Sequence, residues 1–236
     1  MDRTLIFLDT ETTGIWEWHK VIQLAYLYWG KFVNVFLNPE RNIDEWATRV
    51  HGITNEMVKD CDTFKKSIEV ARLKTLIDKW AVVVAHNADF DIWMLKQEWL
   101  ECPLYIDTLR LAMTLWEKGV EHYAEHNLQY LKDYYHIEVG DDVKAHDAYW
   151  DVVVLKEVYD MLQANFEWVD EMIEISKNPV RMYKFKYWKY KWEKIEDVMK
   201  KDMEYLVWMK QHIMEKPEKD WSVFDKSMFY SISFYL

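Results

Sequence analysis

The sequence predicts an α/β fold, a mixed β-sheet flanked by helices, with a small basic and aromatic module at its C-terminal end. Three observations carry this. Leu5-Ile6-Phe7-Leu8 and Trp80-Ala81-Val82-Val83-Val84-Ala85 are short continuous apolar runs, the pattern of strands buried on both faces. Residues 21–28 and 32–37 are two further strand-like runs joined at Trp29-Gly30-Lys31, a hairpin signal. After this meander, strand patterns alternate with helical ones, as in a sheet with helices packed on it.

The elements follow in order. The first strand delivers Asp9 and Glu11 and breaks at Gly14. Side chains two apart on a strand share a face, so these two carboxylates converge on one point. Two anions held together repel unless a proton or cation lies between them. For all-oxygen ligands, a hard divalent ion such as Mg²⁺ or Mn²⁺ is the usual answer. The bland alternative is that one acid caps a turn and the other is solvated.

Residues 15–20 form a short loop, and Asn38-Pro39-Glu40 ends the meander. Thr54 is placed to cap a short helix, and residues 67–79 are amphipathic at helical spacing. The run at 80–85 ends at His86-Asn87-Ala88-Asp89-Phe90-Asp91, with a helix from 92 to 98. A short strand over 103–108 gives way to a helix at 109–116. Asn127 caps a helix over 128–135, and a long helix runs from His146-Asp147-Ala148 to about residue 166.

Composition sets the bounds. The 236 residues are half hydrophobic, with 14 Trp, 15 Tyr, five Gly and four Pro. That length accommodates one medium domain and an appendage, and such a composition argues against disorder. Cys61 and Cys102 have neither metal nor redox spacing, no apolar run reaches membrane-spanning length, and the N-terminus lacks a secretory pattern. A cytoplasmic protein is the expectation. The net charge of −11 disfavours a polyanionic partner at first sight, yet a carboxylate metal site inflates the acidic count.

Read together, Asp9-x-Glu11, Asn87-x-x-Phe90-Asp91 and His146-x-x-x-x-Asp151 resemble the three motifs of DEDDh 3′→5′ exonucleases. These are ribonuclease-H-like enzymes that include DNA polymerase proofreading subunits such as polymerase III epsilon. The flanking text resembles the family too: Phe7 to Gly14, Val50-His51-Gly52-Ile53-Thr54, Ile106-Asp107-Thr108 and His146-Asp147-Ala148, in family order over about residues 4–165. The resemblance implies two divalent ions, Mg²⁺ or Mn²⁺, held by Asp9, Glu11, Asp91 and Asp151. By the same resemblance Asp9 would bridge them, Glu11 and Asp151 would serve the nucleophile side, and Asp91 would support the other ion, partly through water. His146 is the implied general base, suited to taking a proton from water near neutral pH. Thr12, Thr13, Gly14, His51 and Phe90 are the implied substrate contacts near the terminal nucleotide.

His146 and Asp151 cannot share one regular helix and one pocket, because five residues rotate by about 500°, leaving the two roughly 140° apart. A helix starting at Asp147 or Ala148 resolves this and makes Asp147 a terminal helix residue rather than a ligand. Asp89 is likewise set aside in favour of Asp91, and Asp107 reads as a structural cap. His122-Tyr123-Ala124-Glu125-His126 fits the H-x-x-E-H metallopeptidase pattern. That chemistry needs a helix, and the cap at Asn127 argues for a loop.

Beyond Lys177-Asn178-Pro179 the composition inverts. Arg181, Lys184, Lys186, Lys189, Lys191 and Lys194 are interleaved with aromatics and oppose only Glu193. This divides the chain into residues 1–176, the exonuclease-like domain, and 177–236, a module read as nucleic-acid binding. Lys184, Lys186, Lys189 and Lys191 are the candidate phosphate contacts, with Trp188 and Trp192 as candidate stacking rings. The plain alternative is a two-stranded hairpin with lysines on its wet face. Residues 187–198 resemble the C-terminal module of exodeoxyribonuclease X-like proteins, which places glycines where Trp188 and Trp192 stand; that difference puts the module's tight turn in question. Residues 221–236 read as aromatic and strand-like.

The expected function is therefore metal-dependent 3′→5′ hydrolysis of DNA, releasing nucleoside 5′-monophosphates. The alternatives are a 3′-trimming exoribonuclease of the same fold and a non-catalytic nucleic-acid-binding protein.

Overall fold

In the computed structural model, which describes residues 3–139, 147–185 and 189–236, the chain opens with three strands. They are β1 (Leu5–Thr12), β2 (Val21–Tyr28) and β3 (Lys31–Phe36). Helices α1 (Glu45–His51), α2 (Asn55–Val58) and α3 (Ile68–Asp78) lead to β4 (Val82–Ala85). Then follow α4 (Ala88–Gln97), β5 (Tyr105–Asp107), α5 (Thr108–Glu117), α6 (Leu128–Tyr134), α7 (Ala148–Gln163) and α8 (Val169–Lys177). The chain closes with α9 (Ile195–Lys201), α10 (Met203–Met214) and α11 (Val223–Tyr235).

The sheet runs β3-β2-β1-β4-β5. Strand β2 is antiparallel to β1 and β3 to β2, whereas β4 pairs parallel with β1 and β5 parallel with β4. The mixed α/β architecture expected from the alternation is the one observed. Strand β1 is central because its residues satisfy two cores at once. Phe7 faces a cluster that includes Val152, Leu155, Val158 and Tyr159 of α7, with the Tyr159 ring 5.3 Å from Phe7. Ile6 and Leu8 face the opposite cluster, with Leu73 and Ile77 of α3 and Met94 and Leu95 of α4. Each such buried aliphatic side chain contributes about 1.5–3 kcal/mol of transfer free energy.

A third cluster is built by the C-terminal residues Val180, Met182, Phe185, Ile195, Val198, Leu206, Met209, Ile213, Val223, Met228 and Ile232, together with Met113 of α5. One expectation is corrected here. Residues 221–236 are not a strand: α11 is helical, capped by Ser222, whose hydroxyl accepts from the Asp225 N–H. Its buried face hides from a hydropathy reading because Ser227 and Ser231, both fully buried, take apolar positions. Their hydroxyls accept the Val180 and Met182 N–H groups, which satisfies the polar atoms. In the basic segment, among the described residues, Lys184 bridges Lys194 in antiparallel sense, with Phe185 N donating to the Glu193 carbonyl (2.9 Å) and Ile195 N to that of Tyr183 (2.8 Å).

Candidate active site

The two-residue period of β1 sorts its C-terminal end into two sets. Asp9 and Glu11 project on the Phe7 side, toward α7, and Thr10 projects on the Ile6 and Leu8 side, toward α4. On the first side, α7 brings Asp151. One carboxylate oxygen from each of Asp9, Glu11 and Asp151 lies within 4.8 Å of the others. On the second side, α4 brings Asp91, and Thr10 donates its hydroxyl (2.7 Å) and N–H (3.0 Å) to Asp91 Oδ1. Asp91 is thus close to the trio from the other layer and is not part of it. The pairing register of β1 with β2 shifts between Glu11 and Thr12, a bulge at the point where the strand turns away from the acids.

Crowding these carboxylates has an electrostatic consequence. Burial, followed by Asp151 and Asp91, pushes the Glu11 carboxyl up to about 9. Asp9 is also raised well above the carboxylate range, first by burial and then by Asp91, Asp151 and Glu11. Burial lifts Asp91 to about 7, with the Thr10 hydrogen bonds pulling in the opposite direction. An all-oxygen donor set whose members repel one another fits a hard divalent cation. The residues present therefore fit the implied metal.

Neighbours fix the geometry. Asp147 is the N-cap of α7, its Oδ1 accepting from Tyr149 N (3.0 Å) and from Gln23 Nε2 (3.1 Å). Because α7 starts at Ala148, residue 146 precedes the helix, as the pairing of His146 with Asp151 requires. His146 itself lies outside the described residues, as do Lys186 and Trp188. Asp107 caps α5 by accepting from Leu109 N (3.0 Å) and also accepts from Asn87 N (2.9 Å). Asp89 is held by Arg110, at 3.0 and 2.9 Å, and by Lys226 at 3.0 Å, so its carboxylate is committed away from the acidic cluster. Segment 121–127 is not helical, so the His122 and His126 pair lacks the geometry of a metallopeptidase helix.

The residues read as substrate contacts are mostly engaged by the fold. Thr13 is fully buried; its hydroxyl accepts from Lys20 N (3.0 Å) and lies 2.9 Å from His19 Nδ1. Gly14 is required by that histidine, since a Cβ there would lie 2.3 Å from His19 Cε1. Thr12 donates to the Gly14 carbonyl (2.7 Å). His51 accepts from Ile53 N at Nδ1 (3.0 Å), which leaves Nε2 to donate to the Thr12 carbonyl (3.2 Å). Phe90 is half-buried against the α4 side of the sheet. Thr10, His19 and Gln129, which donates to Asp151 Oδ1 at 3.3 Å, were not legible from motif spacing. For Thr10 the signal existed: on a strand buried on both faces, the residue between two acids must face the opposite layer.

In the C-terminal segment Lys184, Lys189 and Lys191 are exposed. Lys189 pairs with Asp202 at 2.9 Å, and Lys191 lies over the Trp192 ring at 5.2 Å. The interleaved aromatics divide: Phe185 is fully buried in the third cluster, and Trp192 lies 5.9 Å from Trp116 of α5. Trp192 itself adopts φ 71°, and its N–H donates to the Phe185 carbonyl (2.6 Å).

A mixed five-stranded sheet with three carboxylates converging at the end of its central strand defines an α/β protein whose acidic cluster fits a hard cation. The family model RNase_T, described as Exonuclease, matches residues 6–159. The chain belongs to this exonuclease family. The DNA polymerase III subunit epsilon of Rickettsia typhi is 30% identical over 198 residues, 75% of this chain and 82% of the relative. Exodeoxyribonuclease 10 of Escherichia coli K12 is 28% identical over 212 residues, 87% of this chain and 90% of the relative. Among solved structures, exonuclease X in complex with 5′-overhanging duplex DNA has a TM-score of 0.56 at 24% identity, over 73% of this chain and 99% of that one. An exonuclease I structure gives 0.59 at 18%, over 69% of this chain and 41% of that one. At these identities the structural likeness concerns the fold. Among the described residues no helix is long and apolar enough to cross a membrane.

Proposed function

We propose that the chain is a metal-dependent 3′→5′ exonuclease that acts on DNA and releases nucleoside 5′-monophosphates. The observation that carries this reading is the convergence of Asp9, Glu11 and Asp151 within 4.8 Å at the end of β1. These three, with Asp91 behind Thr10, are the residues to hold two divalent ions, Mg²⁺ or Mn²⁺. When bound, such ions supply charge neutralisation at the phosphate and at the leaving 3′-oxygen. Asp91 is positioned by Thr10 and Asp151 by Gln129. His146 is the group to take the proton from the attacking water, as its place just before α7 and near Asp151 in sequence suggests.

DNA as the substrate rests on the likeness to exodeoxyribonuclease 10, which extends over 87% of this chain and so beyond the catalytic domain. Residues 177–236 form the appended module, with Lys184, Lys189 and Lys191 as its phosphate-facing charges. The test is a 5′-labelled oligonucleotide incubated with Mg²⁺ and, separately, with a chelator. A ladder shortening from the 3′ end in Mg²⁺ alone is expected for DNA and to a lesser extent for RNA. Faster loss of RNA would transfer the reading to an exoribonuclease of the same fold. No ladder on either substrate leaves a binding protein.

A further inference from the structure

Seven non-glycine residues among those described adopt positive φ, and four of them are tryptophan: Trp29 (46°), Trp80 (65°), Trp99 (67°) and Trp192 (71°). A bulky L-residue is a genuine outlier in that region, where glycine alone is free of a Cβ penalty. We infer that these four positions are glycine in the protein as its source organism makes it, the exchange arising from one codon, UGA. That codon is assigned to tryptophan in one variant of the genetic code and to glycine in another.

The hydrogen bonding at each helix end is that of a glycine site. At the end of α3, Trp80 N donates to the Ile77 carbonyl (2.9 Å) and Ala81 N to the Leu76 carbonyl (3.2 Å). At the end of α4, Trp99 N donates to the Lys96 carbonyl (3.0 Å) and Leu100 N to the Leu95 carbonyl (2.9 Å). Both are Schellman caps, whose left-handed residue is usually glycine. The same chain shows the ordinary solution at the end of α5. There Gly119, with φ 71°, donates to the Trp116 carbonyl (3.0 Å) and Val120 to that of Leu115 (3.0 Å). Trp29 and Gly30, with φ 46° and 72°, are the two loop residues between β2 and β3. Positive φ at both loop positions belongs to the type I′ turn, which favours Asn-Gly or Gly-Gly.

Burial agrees. Trp29, Trp80 and Trp99 are 70%, 68% and 81% exposed, and no described tryptophan is in the buried core. Tryptophan is ordinarily highly buried on average, so a chain that exposes its largest apolar rings at helix ends and hairpin tips is not using them as hydrophobes. Composition agrees as well: at the usual 7% or so, a chain of 236 residues carries about 17 glycines, against five here beside 14 tryptophans. Trp208 shows the contrast. It lies inside α10 with its ring 5.5 Å from Tyr205 and 5.3 Å from His212, stacked on both, and has no glycine-like geometry. The inference also removes Trp192 from base stacking and leaves the lysines as the module's contacts.

The gene and the protein test this separately. Codons 29, 80, 99 and 192 are expected to be UGA and codon 208 to be UGG. In protein isolated from its source organism, the tryptic peptide spanning residues 97–110 is expected to carry glycine at 99 by mass spectrometry. Tryptophan at 99, or UGG at the four positions, overturns the inference. Recombinant protein gives an independent reading through the combined Trp29→Gly, Trp80→Gly, Trp99→Gly and Trp192→Gly variant. Its melting temperature should rise by several degrees over that of the tryptophan-bearing chain, and a lower one also contradicts glycine at these sites.

Discussion

Thr10 donates both its hydroxyl and its backbone N–H to a single oxygen of Asp91, which ties the central strand to the first turn of α4. The pair joins the two layers of the sheet at the point where their acids meet. Thr10→Val keeps the shape and the N–H and removes the hydroxyl. The expected result is a 10–100-fold fall in turnover or metal affinity, the usual cost of removing a partner that orients a metal-binding carboxylate. Steady-state kinetics against Mg²⁺ concentration measures it, and unchanged kinetics would mean that Asp91 needs no such positioning.

The raised carboxyls give a pH dependence whose sign can be worked out. Without metal, folded Glu11 keeps its proton up to about 9, whereas the unfolded chain releases it near 4.5. Between those values the folded state binds more protons, so stability is greatest at the acid end and is lost as pH rises toward 9. Asp9 and Asp91 shift in the same direction. Mg²⁺ binds the folded form and should offset the loss, increasingly as pH rises. Thermal melts in chelator and in Mg²⁺ across about pH 5–9 check this window. A metal-free protein that grows more stable toward pH 9 would show that burial and the neighbouring acids do not hold these carboxyls above their ordinary range.

His146→Ala should lower turnover by about 10²–10⁴, the contribution of a positioned general base. Metal affinity, followed by titration calorimetry, should be unchanged if the imidazole acts as the proposed base and not as a ligand. Loss of metal binding instead would move His146 into the coordination set.

Charge reversal at Lys184 and Lys191 should weaken binding to single-stranded DNA and lower the slope of log K against log salt by about 0.7 for each phosphate no longer neutralised. Lys189 is left in place because it is paired with Asp202 at 2.9 Å. Binding isotherms at several salt concentrations provide the reading. Equal affinity and slope would make the segment structural.

Most of the site was legible because its signals are local. Two acids two residues apart on a buried strand must share a face, and Asp107 and Asp147 are themselves extended residues placed just ahead of a helix, each capping it. What escaped depends on tertiary partners. The commitment of His51 to Ile53 and Thr12, and of Thr13 to His19 and Lys20, needs segments that fold back on one another. Helix α11 escaped because Ser227 and Ser231 are polar in sequence and apolar in position, their hydroxyls consumed by the passing backbone at Val180 and Met182. An aromatic-rich stretch with serines at those places carries no helical hydropathy period.

Asp9→Ala, assayed on a 5′-labelled DNA oligonucleotide in Mg²⁺, tests most directly whether the β1 carboxylates are the catalytic centre. The variant should stay folded, and its metal-free melting temperature should hold or rise slightly, because one of the mutually repelling acids is gone. Hydrolysis should be abolished while the oligonucleotide is still bound. Near-normal 3′-end degradation by this variant would contradict a catalytic role for Asp9 and, with it, the assignment of the cluster.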